Sequence, residues 1–307
     1  MERDTTHDVR PDQISVQPQL TRATGENRLD APRAENIRTQ SRAQTGLDDA
    51  RECALIQFRG RYIRVNTSAL TALRDIGRFR TVAVEDLVAF RYGGDQRRLE
   101  QDLDTMAAQG LLSHRLWRSP RVAPLPILVL TKTGRDALAA HDAGRAQDAT
   151  RVSQRHYAGF VKPREVRHDA AIYRMFQAEE RRLVKEGSRV LRIVLDYELK
   201  ACIYAPLAKA RALPKPEFHR LQQAVAHAHG LRVVDGKIPL PDLRIEYETA
   251  SGERQSVDLE LATGHYHGGA MATKARAGFR FYVADGSAAK LSRVMEERDI
   301  TVAILSL

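Results

Sequence analysis

Apolar residues recur three and four apart through the first part of the chain, and alternate with polar ones in several later runs. The first pattern marks amphipathic helices and the second half-buried strands. Ser68 can cap a helix through Leu73. TVAVEDLVAF (81–90) sets Val84, Leu87 and Val88 at helical spacing and predicts a second helix, which Gly93 and Gly94 end. Asp95 is a fair N-cap for a third helix over 96–109, with Leu99, Leu103 and Met106 on one face and Gly110 as its stop. LLSHRLW and PILVLTKTG, joined by a Pro-containing loop, then predict a two-stranded wing. LTKTGRDALAAH (130–141) opens a further helix, and the polar 142–156 is a linker or the end of that helix.

The rest of the chain alternates element types. Val166–Lys185 predicts an amphipathic helix with Ile172, Tyr173, Phe176 and Leu183 as its stripe. A strand follows over 189–199, then helical sequence over 201–229 interrupted at Pro206, Pro214 and Pro216. A hairpin spans 239–263, with a helix near 270–277 after it. A strand at 279–286, a helix at 287–298 and a terminal apolar strand at 300–307 complete the chain. This order implies a mixed sheet flanked by helices, an α/β fold of the α+β kind. Residues 1 to about 52 contain no aromatic residue and few apolar ones, and read as disordered. The expected organisation is a tail (1–53), a first folded domain (54–145) and a second (146–307).

Composition narrows the partners. The 307 residues carry a formal charge of +10 with 43% hydrophobic and 29% charged residues, and the pI is near 9.8. That balance favours a polyanion, most simply DNA, although a solvated Arg-rich surface gives the same figure. No apolar run reaches the ~18 residues of a membrane helix, and no signal-peptide core opens the chain, so a cytoplasmic protein without a membrane partner is expected. Cys53 and Cys202 have neither zinc spacing nor a disulfide framework.

Three helices followed by a β-wing form the winged helix-turn-helix pattern. Its third helix would read DNA through Arg97, Arg98 and Gln101, while His114, Arg115, Arg118 and Arg121 on the wing would reach phosphates. The alternative is a winged helix used for protein contacts.

The chemistry lies in the 239–263 hairpin. In SVDLELATG, Asp258 and Glu260 are two apart and share one face, while Val257, Leu259 and Leu261 face the other. Pairing with PDLRIEYE across TASGER (249–254) brings Asp242 towards them. Three carboxylates on one side of a hairpin make a poor core and a good site for a hard cation such as Mg²⁺ or Mn²⁺.

Helix, strand, PD, acid-x-acid hairpin and following basic helix together resemble the PD-(D/E)xK nuclease core, a restriction-endonuclease-like mixed-sheet domain. With the winged helix in front, the chain is similar to the replication-relaxation family of mobile-element proteins and the related MOBC-type plasmid relaxases. The resemblance is carried by GLLSHR and LVLTKTG, HDAAIYRMFQAEE, IPLPDLRIEYE, VDLELATG and Lys274, over roughly 65–307. It implies that Asp242 and Asp258 ligate the metal, with Asp169 as a further acidic ligand beside His168. On the residues alone, Asp169 is equally a helix N-terminal charge favoured by the macrodipole. The family's lysine falls two residues after Asp258, where this chain has Glu260. Glu at that place, or Lys274 reaching in from the next helix, would replace it, or the copy is a DNA-binding relic.

A rival constellation is His265-Tyr266-His267, which superficially matches the metal motif of tyrosine relaxases, with Tyr157, Tyr173 or Tyr282 as nucleophile. His219, His227 and His229 lack the spacing of a zinc site. Two functions stay open: a metal-dependent nickase acting with mobilisation or replication proteins, and a noncatalytic winged-helix regulator with a degenerate nuclease domain.

Overall fold

The computed structural model describes residues 53–120, 122–144, 153–160, 162, 165–262, 268–283, 292–293 and 304–307. The expected tail, the helix at 287–298, Arg121 and the His265–His267 motif lie wholly or almost wholly outside these residues. Within them the chain is a mixed α/β fold with eight helices and three sheets. No helix of the described residues is long and apolar enough to cross a membrane.

The fold begins with a hairpin that the sequence reading missed, β1 (Cys53–Phe58) and β2 (Arg61–Asn66). Arg59 and Gly60 turn it with positive φ at both positions, the backbone that a tight two-residue hairpin requires. Ile56 and Val65 point to the core, while Leu55 and Tyr62 stay exposed. Helix α1 (Thr67–Phe79) is capped by Asn66, whose side chain accepts from the Ala69 N–H at 2.7 Å. It therefore starts earlier and ends six residues later than expected, because Ile76 and Phe79 extend its buried stripe.

The short strand β3 (Val82–Ala83) leads into α2 (Val84–Arg91). Asp95 caps α3 (Gln96–Ala108) through the Arg98 N–H at 3.0 Å, as its sequence predicts. Strands β4 (Leu112–Ser119) and β5 (Val122–Leu130) pair antiparallel, with β3 on the far side of β5. Helix α4 (Lys132–Gly144) follows. A β-carbon on Gly134 would overlap the Leu111 carbonyl oxygen, so α4 seats on that backbone only because position 134 is glycine. Gly134→Ala is expected to unfold at least ~3 kcal/mol more easily in urea, since backbone cannot yield as a flexible side chain can. Unchanged stability would show that α4 shifts freely.

Helix α5 (Val166–Lys185) spans the expected residues. Strand β6 ends at Leu195 (Arg189–Leu195) and helix α6 (Asp196–Lys209) takes over, four residues before the expected end of the strand. Pro206 is tolerated inside α6, and α7 (Lys215–Ala228) starts on Pro214 with another proline in its first turn. Next come β7 (Leu243–Glu248), β8 (Arg254–Ala262), α8 (Gly268–Ala277), β9 (Arg280–Val283) and β10 (Ile304–Ser306). They build a five-stranded sheet in the order β10-β9-β8-β7-β6, antiparallel from β6 to β8 and parallel across β8, β9 and β10. At its open edge, Gln154 bonds the N–H and C=O of Ile193 at 2.9 and 3.1 Å, satisfying a strand edge that would otherwise invite pairing.

The two halves share one core, in which Phe79 of α1 meets Tyr173 and Phe176 of α5 at ring centroid distances of 5.1 and 5.0 Å. His156 is buried beside Gly77 of α1. Burial lowers its pKa to about 4, against the opposing pull of the nearby Asp142 carboxylate. The unfolded chain therefore binds more protons than the folded one between 6.5 and 4. Stability should be full above pH 6.5 and fall by about 3 kcal/mol towards pH 4 through this group. The wild-type loss over that window should exceed that of His156→Gln, measured by urea unfolding. Parallel pH profiles would remove His156 as the cause.

Candidate functional site

The register of β7 against β8 sets Leu243 opposite Leu259 and Arg244 opposite Asp258. Alternation therefore puts Leu243, Ile245, Leu259 and Leu261 into the core and Arg244, Asp258 and Glu260 on the other face. Asp258 and Glu260 share a face as expected, yet their fates differ. Arg244 grips Asp258 with two parallel bonds of 2.7 and 2.8 Å. Its remaining N–H groups bond the carbonyls of His229 and Gly230 at the end of α7. Asp258 thus fastens the hairpin to α7, and the structure does not gather it with Asp242 as a metal ligand. Sequence reasoning missed Arg244. Its signal was an arginine on the strand that the expected hairpin pairs with Asp258.

Glu260 is only 2% exposed and is bonded by Lys274, which α8 carries back over the sheet. Asp242 enters β7 behind the buried Pro239, Leu240 and Pro241. Its Oδ2 accepts from the Leu261 N–H at 2.9 Å and lies 3.4 Å from His168 Nε2. Both contacts end on one oxygen, which fixes the rotation of the carboxylate. Burial pushes the Asp242 carboxyl up, but His168, the charge of Lys274 and the Leu261 N–H outweigh it and hold it below its ordinary value.

The first turn of α5 supplies His168 and Asp169. The imidazole lies between Asp169, at 3.5 Å, and Asp242. Burial pulls His168 down, and the hydrogen bonds and charges of the two carboxylates overcome this, raising it to about 10. It is an imidazolium at neutral pH. Asp169 also lies 3.9 Å from Arg80, whose guanidinium stacks on Tyr197.

Asp242 and Lys274 line a cleft of about 850 Å³ walled by α6, α7 and α8. Lys200, Arg211 and Lys237 line it as cations, Lys200 paired with Asp196 of the same lining. None of these three entered the sequence reading, because they come from segments that only the helical packing brings together. Among the described residues, no group of three or more His, Cys, Asp or Glu side chains is placed to hold a metal ion. The expected set of Asp242, Asp258 and Asp169 is therefore not assembled as a ligand cluster.

On α3, Arg97 and Gln101 are exposed, along with Glu100 and Asp104. Arg98 is half-buried and donates to the Ser68 hydroxyl at 2.8 Å, so part of its bonding serves the fold. On β4, Arg115 and Trp117 share the face turned to the second half of the chain. Arg115 stacks on Phe160 at 3.6 Å and Trp117 meets Arg167 at 5.4 Å. His114 and Arg118 occupy the opposite, solvent face.

The tyrosine alternative fares poorly. Tyr173 and Tyr282 are buried and donate to Asp75 and Glu179 at 2.8 and 2.6 Å, and Tyr157 donates to Glu198 at 2.6 Å. Burial pushes all three phenols up, away from a nucleophilic phenolate. His219 and His227 are exposed on α7. Neither the protein-family models nor the curated protein sequences yield a match to this chain.

Proposed function

We propose that the chain is a cytoplasmic DNA-binding protein with two working parts. The first half is a winged helix-turn-helix that seats it on DNA. The second is a PD-(D/E)xK-like core that nicks a phosphodiester with Mg²⁺ or Mn²⁺ during mobilisation or replication of a mobile element. The observation that carries this reading is Lys274, which bonds the buried Glu260 and bears by its charge on Asp242, at a cleft that Asp242 and Lys274 both line.

The donor chemistry fits a hard cation. Mg²⁺ keeps several waters and needs only one or two carboxylates; Asp242, which lines the cleft, would supply one, and Glu260, bonded to Lys274, is the candidate for the second. When bound, the ion polarises a phosphate oxygen and lowers the pKa of a coordinated water. Lys274 would neutralise charge developing on the phosphate. His168 holds Asp242 in one rotation, while Arg211 and Lys237 bind the backbone of the strand. Glu260 takes the acidic role that the resemblance gives to Asp258, and Lys274 takes that of the missing lysine. Asp169 supports His168.

The second reading, a noncatalytic regulator, draws on one observation. Asp242, Asp258 and Glu260 each face a cation of the chain itself, respectively His168, Arg244 and Lys274. Titration calorimetry with Mn²⁺ separates the two. The nicking account expects heat and a raised melting temperature in the wild type, and neither in Asp242→Asn. Absence of both in the wild type supports the regulator.

The DNA-seating part has its own check. Arg97 and Arg118 are exposed on the reading helix and the outer face of the wing. Replacing both by Ala should weaken duplex binding and reduce the slope of log K against log salt by roughly two, one per lost phosphate contact. An unchanged slope would take this surface out of the interface.

A further inference from the structure

The cleft beside Asp242 is built for more than a phosphate backbone. Helix α6 turns Tyr204, Leu207 and Ala208 into it, at the three- and four-residue spacing that makes one helical face, and Arg211 joins them from the turn that follows the helix. Helix α7 adds Phe218 and Gln222, again four apart. Tyr204 is 47% exposed, a large aromatic surface left open to solvent. Gln222 is only 6% exposed. Its amide nitrogen donates to the Gly236 carbonyl at 2.9 Å, which fixes its orientation. Its Oε1 is buried with no hydrogen-bond partner among the described residues. A buried acceptor left unsatisfied costs free energy that a ligand donor recovers.

We propose that this cleft seats one unpaired nucleobase of the DNA strand. The base stacks against Tyr204 and Phe218 and donates an N–H to Gln222 Oε1, while Arg211 and Lys237 hold the flanking phosphates. About 850 Å³ is within the range of small-molecule pockets and accommodates a nucleotide. Flat aromatic surface joined to cations is what single strands bind, whereas duplex DNA keeps its base faces stacked and out of reach. The orientation of the strand, with its next phosphate at Asp242 and Lys274, rests on the nicking reading. The base seat itself does not.

The test uses a single-stranded oligonucleotide carrying one 2-aminopurine, in EDTA so that no cleavage intervenes. The full-length wild type should quench its emission on binding and should bind an abasic-substituted oligonucleotide about tenfold more weakly. Tyr204→Leu should lose most of the quench and about tenfold in affinity. Gln222→Leu should weaken binding about fivefold while leaving the affinity for the abasic strand unchanged. Equal affinity of the wild type for the intact and abasic strands would overturn the base seat whatever the variants do. An unaltered quench in Tyr204→Leu would do the same. Metal-dependent nicking plays no part in these readouts, so its loss would leave this result standing, and a failed base seat would leave nicking untouched.

Discussion

Glu260→Gln is expected to bind DNA as the wild type does and to nick it about a thousandfold more slowly. The substitution keeps the size of a nearly buried side chain and removes one charge. If Glu260 holds the cation, that charge bears on several kcal/mol of transition-state stabilisation, and each 1.36 kcal/mol is tenfold in rate. Asp258→Asn is the contrasting control. Its carboxylate is held by the buried Arg244, so its loss should lower the melting temperature and leave nicking per folded molecule close to wild type. The opposite order, with Asp258→Asn inactive and Glu260→Gln active, would return the metal to the position that the family resemblance gives it. The comparison is made with folded, purified variants on one supercoiled substrate, with duplex binding measured in parallel.

Asp75→Ala should cost about 3–5 kcal/mol and leave little folded protein at 37 °C. Asp75 lies on α1, is 1% exposed, and accepts from Arg91 Nε at 2.5 Å and from the buried Tyr173 hydroxyl at 2.8 Å. Arg91 also reaches Glu180 on α5 at 3.3 Å. Burial disfavours the Arg91 cation, and the charge and hydrogen bond of Asp75 outweigh that, raising its pKa. Removing the carboxylate leaves a half-buried guanidinium with Glu180 as its remaining acid, and a buried hydroxyl short of an acceptor, a costly way to break such a network. Because α1 and α5 belong to opposite halves of the chain, both halves should lose cooperativity together. Urea unfolding followed by tyrosine and by Trp117 fluorescence checks this. A loss below about 1 kcal/mol would mean that water replaces the carboxylate.

Much of the architecture could be read from periodicity. The 3.6-residue stripe of α5 gives both of its ends, and the period-two runs around TASGER give the central hairpin with its polar and apolar faces. Where reading failed, local signals competed. Ala54, Ile56 and Phe58, then Ile63 and Val65, alternate cleanly around Arg59-Gly60. Arg59, Arg61 and Arg64 interleave with them, and no element was expected before Ser68. RVLRIVLDYEL is apolar enough to read as strand throughout, and only the acids of the first turn of α6 mark where β6 stops.

The site was legible to the level of one face and no further. Alternation places Asp258 and Glu260 side by side. It says nothing of Arg244 claiming one and Lys274 the other, because that depends on cross-strand register and on where α8 returns. The cleft residues Tyr204, Arg211, Phe218 and Gln222 were invisible for the same reason. Each is an ordinary residue of a helix, or in the case of Arg211 of the turn after one, until α6 and α7 face one another.

The most direct test of the account is nicking of supercoiled DNA carrying candidate origin sequences by the full-length protein, in Mn²⁺ and in EDTA, with Lys274→Ala alongside. The account predicts conversion to open circles in Mn²⁺ only, with Lys274→Ala still binding Mn²⁺ but cutting at least a hundredfold more slowly. DNA that is bound by the wild type and left supercoiled in Mn²⁺ would contradict it.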